Sequence, residues 1–392
     1  MEFEGWWLLA IPIIFGMGWV AARFDLRTLL SESRSLPSSY FRGLNFLLNE
    51  QPDKAIDAFI EVAKLAPETI ELHFALGSLF RRRGETERAI RLHQNLLSRE
   101  DLLPNDQAHA LFELGHDFLK AGLLDRAEEA FSRLHIGNFS KAAQQSVLTI
   151  YQMEKEWQKA IDVAQQLTKQ DFSISYRKEI AQFHCELAQE ARQRKDMSTV
   201  AHELATALQV NPTNIRAILQ QGDFLLSMGD AEGALRTLSH IEQQNPIYLG
   251  LAAKRMIQAY EALGRISEGI AVLRAALFRH PSDDLLEILY EKTKVLYGEA
   301  AALALIRESM QLVPSEKGMM KLLESHSLES TGGEFQSDLQ LMSQLVCQRT
   351  KLLPRYVCSY CGFRARLFYW QCPSCNFWET YTPRRSSITA SF

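Results

Sequence analysis

Two Cys-x-x-Cys pairs stand near the carboxyl end of the chain, Cys358-Ser-Tyr-Cys361 and Cys372-Pro-Ser-Cys375, with ten residues between them. Each pair can place two sulfurs on one side of a tight turn, with backbone N–H groups aimed at them, and two such turns facing each other complete a tetrahedral sulfur site. Cys358, Cys361, Cys372 and Cys375 therefore read as the ligands of one structural metal ion, zinc or iron. Protein fills all four coordination positions, which leaves no place for a water or substrate and argues against a hydrolytic metal. A segment of about thirty residues has too little core to fold unaided, so the ion supplies the missing stability.

The other two of the six cysteines, Cys185 and Cys347, stand alone in helical pattern. That distribution speaks against a disulfide framework and for a reducing compartment, and both read as packing residues rather than nucleophiles. Around the four thiols lie Tyr356, Tyr360, Phe363, Phe368, Tyr369, Trp370, Phe377, Trp378 and Tyr381. This is more aromatic surface than so small a segment can hide, so part of it is expected to pack against the rest of the chain. Arg355, Arg364, Arg366, Arg384 and Arg385 add a basic rim. Two further readings stay open: electron transfer through an iron-loaded site, and nucleic-acid contact by aromatics and arginines. The second lacks an extended basic stripe, and a net charge of −4 gives the chain no global basic field.

What must position this segment is a helical body. Hydrophobic residues make up 46% and charged residues 23% of the 392, and valine-rich alternating runs are absent, which predicts an all-α protein. Gly43 and Gly77, Phe46 and Phe80, Ala55 and Ala89, and Pro212 and Pro246 are each 34 residues apart, and Pro281 and Pro314 follow at steps of 35 and 33. Gly115, Gly122, Ala127 and Phe131 repeat the same internal spacing after an insertion around residues 102–105. A unit of about 34 residues is the period of a helix–turn–helix solenoid. The early Gly lets the first helix of a unit pack closely on the second, the mid-unit Gly suits the turn, and the small residue of the second helix leaves room for a facing ring. A single hairpin cannot bury its apolar stripe, whereas stacked hairpins share one core.

The pattern resembles the tetratricopeptide repeat, with about eight units over residues 36–315. The fourth unit, with Tyr151 and Ala160, is degenerate, and the fifth has Ala188 and Val200 where Gly and Ala are expected. The stretch 170–176 suggests a break between two sub-arrays. Residues 316–353 read as capping helices (Lys317 to Ser327, Phe335 to Leu352) with a Ser330–Thr331–Gly332–Gly333 connector, 354–382 as the metal domain and 383–392 as a tail. The repeat implies a concave, partner-gripping surface lined by first helices, where Phe74, Ser78, Arg81, Arg82, Phe112, His116 and Lys120 are expected, with Arg364 and Arg366 as further partner contacts on the metal domain. Arg81, Arg82 and Arg83 equally suit a solvated helix end favoured by the macrodipole.

Residues 1–25 differ from all of this. From Gly5 to Ala22 there is no charged side chain over 18 residues, enough for a helix of about 27 Å, close to the bilayer hydrocarbon thickness. Trp6, Trp7 and Trp19 sit near the ends of the run, at headgroup level. Glu2 and Glu4 precede it, unlike the positive start of a cleavable signal, and Arg23, Arg27, Arg34 and Arg42 follow it, which places the body in the cytoplasm and leaves a single-pass anchor.

Anchor, repeat array and a terminal knuckle reading Cys-x-x-Cys-Gly-Phe through Tyr369-Trp370-x-Cys-Pro-Ser-Cys together resemble the lipopolysaccharide assembly protein B family of Gram-negative bacteria, over essentially the whole chain. The resemblance implies an all-α tetratricopeptide-repeat superhelix with an N-terminal transmembrane helix and a small C-terminal rubredoxin-like zinc ribbon. It further implies an inner-membrane adaptor that links the protease FtsH to the deacetylase LpxC, promotes degradation of that enzyme, and is opposed by a second inner-membrane regulator at the anchor. Asn376 departs from the Gly usual in a rubredoxin knuckle, which puts the turn after Cys375 in question. No phosphate-cradling loop or nucleophile elbow is present and the ten histidines are scattered, so an enzyme is not expected.

Overall fold

The computed structural model describes residues 38–49, 51–65, 69–173, 175–329, 334–352 and 356–383. The chain forms two compact units that divide between Lys155 and Glu156. The first contains the hairpins α1/α2 (Ser38–Leu48, Pro52–Leu65), α3/α4 (Ile70–Arg83, Thr86–Leu97) and α5/α6 (Pro104–Lys120, Leu124–Ser132), followed by α7 (Ser140–Glu154). The second opens on α8 (Trp157–Gln170) and continues through α9/α10 (Arg177–Gln193, Met197–Val210), α11/α12 (Ile215–Ser227, Ala231–Gln244), α13/α14 (Leu249–Ala262, Ile266–Arg279) and α15/α16 (Asp283–Tyr297, Glu299–Leu312). Helices α17 (Glu316–Glu329) and α18 (Glu334–Leu352) come next, then a short antiparallel ladder of β1 (Tyr356–Val357) and β2 (Arg364–Ala365), with Tyr356 opposite Ala365. These are stacked tetratricopeptide hairpins with a ribbon at the end. Among the described residues no helix is long and apolar enough to cross a membrane. The anchor expected over residues 1–25, with Trp6, Trp7, Trp19 and Arg23, lies outside them, as do Ser330 to Gly333 and Arg355, Arg384 and Arg385.

The repeated small residues act sterically. A Cβ on Gly115 would lie 2.7 Å from the Phe131 ring, and one on Gly222 2.7 Å from Leu238, so each first helix approaches its second helix too closely for any side chain. Ala55, Ala89, Ala127, Ala160 and Ala234 are fully buried on the opposing helices. At the turn between helices Gly84 has φ 86°, and two backbone bonds close it, Gly84 N–H to Arg81 O at 3.1 Å and Glu85 N–H to Phe80 O at 2.9 Å.

The fourth and fifth units keep this turn without glycine. Lys155 and Lys195 stand at the equivalent positions with φ of 60° and 59°. Lys195 N–H bonds Arg192 O at 3.1 Å and Asp196 N–H bonds Ala191 O at 3.0 Å, the same closure as at Gly84. A lysine in the left-handed region costs roughly 1–2 kcal/mol that glycine does not, which the packing of α9 on α10 offsets: Ala188, Ala191, Val200 and Leu204 form a buried cluster there.

One core position changes character. Where α2 and α6 supply Phe59 and Phe131, α4 supplies His93, fully buried, whose Nδ1 lies 2.5 Å from Oδ2 of the equally buried Asp117. Asp117 Oδ1 accepts from Arg81 at 2.7 Å, so a carboxylate with no solvent exposure is held between two ring or guanidinium donors.

Replacing Lys195 by Gly relieves the left-handed strain and is expected to stabilise the second unit by about 1 kcal/mol, read as a higher urea midpoint at constant slope. An unchanged or lower midpoint would show that the turn is not strained.

Candidate metal centre and its dock on the helical array

The four Sγ atoms of Cys358, Cys361, Cys372 and Cys375 lie within 4.8 Å of one another. Sulfurs arranged tetrahedrally at ~2.3 Å from zinc are ~3.8 Å apart; Cys358 and Cys375 are separated by 3.8 Å, Cys361 and Cys372 by 3.6 Å. The two knuckles are built alike. Cys358 N–H bonds Phe363 O and Cys372 N–H bonds Phe377 O, both at 2.9 Å, while Gly362 N–H bonds Cys358 O at 3.0 Å and Asn376 N–H bonds Cys372 O at 2.8 Å. Gly362 has φ 73° and Asn376 φ 59°. Asparagine is one of the few residues that enter the left-handed region readily, so the departure from Gly at 376 leaves the turn intact.

Electrostatics favour an ion at this centre. Burial resists ionisation of Cys358, yet hydrogen bonds from Thr380 and from the backbone N–H groups of Cys361 and Tyr360 bring its thiol down to about 6. Burial, with the three sulfurs beside it, pushes Cys375 up to about 12. Four thiolates this close do not ionise together without a cation among them, and a divalent ion both neutralises the charge and releases the protons. The Tyr381 hydroxyl, fully buried, sits 3.7 Å from Cys372 Sγ and donates to Phe363 O at 3.5 Å, closing the inner side of the cluster.

The surplus aromatic surface is covered by the second unit. Trp378 meets Trp157 and Phe183 edge-on at centroid distances of 6.2 and 6.1 Å, and the Arg216 guanidinium lies 5.8 Å from its ring. Trp370 stacks on Tyr248 at 5.9 Å with an interplanar angle of 7°, and Phe368 meets the same Tyr248 edge-on. Glu379, held at φ 55°, accepts from Gln182 Nε2 at 2.6 Å and from Asn214 Nδ2 at 3.5 Å. Asn214 does two jobs, since its Oδ1 also caps α11 by accepting from Ala217 N–H at 2.8 Å. Farther along, the Tyr356 hydroxyl donates to Asp284 at 3.5 Å. Burial and the nearby Glu379 raise the Glu179 carboxyl above its ordinary value, so this corner of the dock resists further negative charge.

The partner-facing residues expected from the repeat have mixed fates. Phe74, Phe112 and His116 are half-buried in one aromatic run, Phe74 with its centroid 3.9 Å from His109 and Phe112 4.6 Å from His116. Burial lowers the His116 pKa. Ser78 is half-buried, while Arg82, Lys120, Arg364 and Arg366 are exposed. Arg81 is tied to Glu113 and Asp117, both at 2.7 Å. Burial pushes the Cys185 thiol up to about 12, which suits packing and not attack. Gln182, Asn214, Tyr248 and Glu379 were not singled out by sequence; only the aromatic excess around the cysteines pointed to a dock at all.

Stacked helical hairpins that hold a four-sulfur knuckle define a tetratricopeptide-repeat scaffold with a rubredoxin-type ribbon. Residues 42–101 match the tetratricopeptide repeat and residues 356–383 the rubredoxin metal binding domain. Lipopolysaccharide assembly protein B of Escherichia coli strain K12 is 33% identical over 379 residues, covering 96% of this chain and 97% of its own length. The protein of the same name from Haemophilus influenzae strain Rd is 30% identical over 393 residues, with the same coverage. The chain belongs to the lipopolysaccharide assembly protein B family.

Two substitutions separate the ion from the dock. Cys372→Ser is expected to release the metal and loosen the ribbon, measured as metal content of the purified protein; an unchanged content would contradict the closed ligand set. Asn214→Asp keeps the α11 cap, because aspartate caps as well as asparagine, but sets a second carboxylate against Glu379. The expected result is full metal content with a ribbon released by limited proteolysis, and wild-type protease resistance would show that the Glu379 contact does not hold the dock.

Proposed function

We propose that the chain serves lipopolysaccharide assembly as a membrane-tethered adaptor with no catalytic chemistry of its own, bringing FtsH and LpxC together so that LpxC is degraded and synthesis restrained. The observation that carries this reading is the likeness to lipopolysaccharide assembly protein B over 96% of the chain and 97% of that protein's own length. The first unit supports it physically. Phe74, His109, Phe112, His116 and Phe139 make a continuous run of rings along α3, α5 and the start of α7, and α3 and α5 also carry the exposed Arg82 and Lys120. Half-buried rings on helices that also carry exposed cations suit the grip of another chain.

In this reading residues 1–22 span the inner membrane once, the array and ribbon work on the cytoplasmic side, and a second inner-membrane regulator acts on the anchor. The ion is structural, and zinc is the default for a closed set of four thiolates; a reversible visible band in the purified protein would assign iron instead.

Photo-crosslinking from Phe74 and Phe112 in intact membranes is expected to capture LpxC or FtsH, and recovery of neither would remove the adaptor. Deleting residues 1–22 is expected to leave the fold intact while LpxC persists longer, because tethering raises the effective concentration near membrane partners. Normal LpxC turnover by the untethered form at native expression would show that the anchor is dispensable.

A further inference from the structure

The array does not cover all of the ribbon's apolar surface. Trp370 and Trp378 meet the second unit, while Tyr360, Phe363, Leu367 and Phe377 stay in solvent, 66%, 41%, 65% and 49% exposed. Tyr360 and Phe377 come from different knuckles, yet their ring centroids lie 4.1 Å apart, so the two turns share one aromatic tip. Cys361, exposed unlike the other three ligands, lies in the first of these turns. Phe363 and Phe377 stand at equivalent places, each giving the carbonyl that closes its own knuckle. Those bonds fix where the two rings leave the backbone.

The free charge of the ribbon has one sign. Residues 356–383 hold two arginines, Arg364 and Arg366, and one acid, Glu379. Glu379 is spent on the array, where it accepts from Gln182 Nε2 at 2.6 Å. Arg364 and Arg366 flank Ala365, which is buried in the ribbon core, so the alternation of an extended chain turns both outward. Both are exposed, and neither makes an ion pair among the described residues.

Aromatic rings and unpaired guanidinium groups match the boundary of an anionic bilayer on two counts: the rings settle at headgroup level, and the guanidinium groups meet lipid phosphate. Form favours a lipid surface over a gripped peptide. The rings project from turn tips, whereas peptides are held in grooves, and a fluid surface asks for no matching shape. The uncharged run from Gly5 to Ala22 is a second argument, because a chain tethered there keeps its ribbon near the bilayer at high effective concentration.

We infer that the exposed tip of the ribbon seats on the anionic phospholipid surface of the membrane that tethers the chain, with Tyr360 and Phe377 at headgroup depth and Arg364 and Arg366 on lipid phosphates. The inference rests on the tethered reading and goes beyond it by giving the chain a second membrane contact, at its far end. The dock and the lipid seat use different residues, so neither displaces the other.

The test uses the full-length, metal-loaded chain reconstituted into vesicles of phosphatidylcholine alone or of phosphatidylcholine and phosphatidylglycerol in equal parts. Benzoylphenylalanine replaces Tyr360 or, for comparison, Phe172, which is 89% exposed on the loop after α8. Lipid adducts formed on irradiation are measured by mass spectrometry. Adducts from position 360 are expected to be about tenfold more abundant in the anionic vesicles, and Arg364→Glu combined with Arg366→Glu is expected to remove that excess at unchanged metal content. Should the double variant lose its metal, molar salt on the unsubstituted tip is expected to remove the same excess. No adducts from position 360, equal yields in the two kinds of vesicle, equal yields from position 172, or an excess that survives charge reversal or salt would each overturn the inference. In isolated bacterial membranes, adducts to protein in place of lipid would assign the tip to a protein partner and overturn it too. Flotation with the vesicles reports on the tether separately: a chain that floats but gives no adducts refutes the lipid seat alone.

Discussion

Four sulfurs crowded within 4.8 Å repel one another once ionised, and the ion that relieves this repulsion also sets the shape of everything attached to them. The ribbon has little else. Its strands are two residues each, and its buried core is Tyr356, Cys358, Ala365, Cys372 and Tyr381, of which two are ligands. Phe368, Trp370 and Trp378 flank the second knuckle, so an ion shared by both knuckles would fix the angles at which they leave it. These rings, with Glu379 and Tyr356, reach Gln182 on α9, Asn214 before α11, Tyr248 before α13 and Asp284 on α15, so a local coordination bond propagates to four successive hairpins.

Within each unit, polar contacts one repeat apart set the stacking, and burial decides which of them matter. Arg265 to Glu232, Arg279 to Glu242 and Lys292 to Glu261 are largely exposed, and pairs of that kind contribute ~0–1 kcal/mol each. Arg81 between Glu113 and Asp117, Arg216 with Glu186, and Arg255 with Asp223 are partly or wholly withdrawn from water. There the loss of one partner strands a charge, an error of several kcal/mol, so these pairs enforce the order in which hairpins stack. Hairpins that are near copies of one another need such markers, since apolar stripes alone are interchangeable.

The features legible in the sequence were those with local causes. The cysteine spacing reports a site whose ligands come from two adjacent turns, and the 34-residue period reports steric needs met within one hairpin, such as Gly115 against Phe131. The fifth unit looked degenerate because Ala188 and Val200 stand where Gly and Ala are expected, and the fourth and fifth also carry Lys155 and Lys195 at the turn; there the backbone conformation persisted while its usual glycine did not. Arg81 looked like part of a loose helix end, and only the fold brings Glu113 and Asp117 to it. The same holds for His93, an odd residue at a core position whose partner is 24 residues away, and for Gln182 and Glu379, separated by 197. Pairings of that length leave no periodic trace, so the sequence could indicate that the ribbon needed cover without indicating where it would find it.

The position of the dock bears on how the second unit can recognise anything. An apolar face of a repeat array must be covered by something, and here Trp378 and Trp370 already cover much of it. A partner that displaced them would forfeit the packing of two half-buried indoles before gaining any contact of its own. With the ribbon in place, Trp370 stands beside the guanidinium groups of Arg216 and Arg255, which Glu186 and Asp223 hold in position. Preorganisation of that kind lowers the cost of ordering on binding. An ion that joins the two knuckles thereby keeps both indoles on the array, so that the second unit presents the docked ribbon and not a bare apolar face.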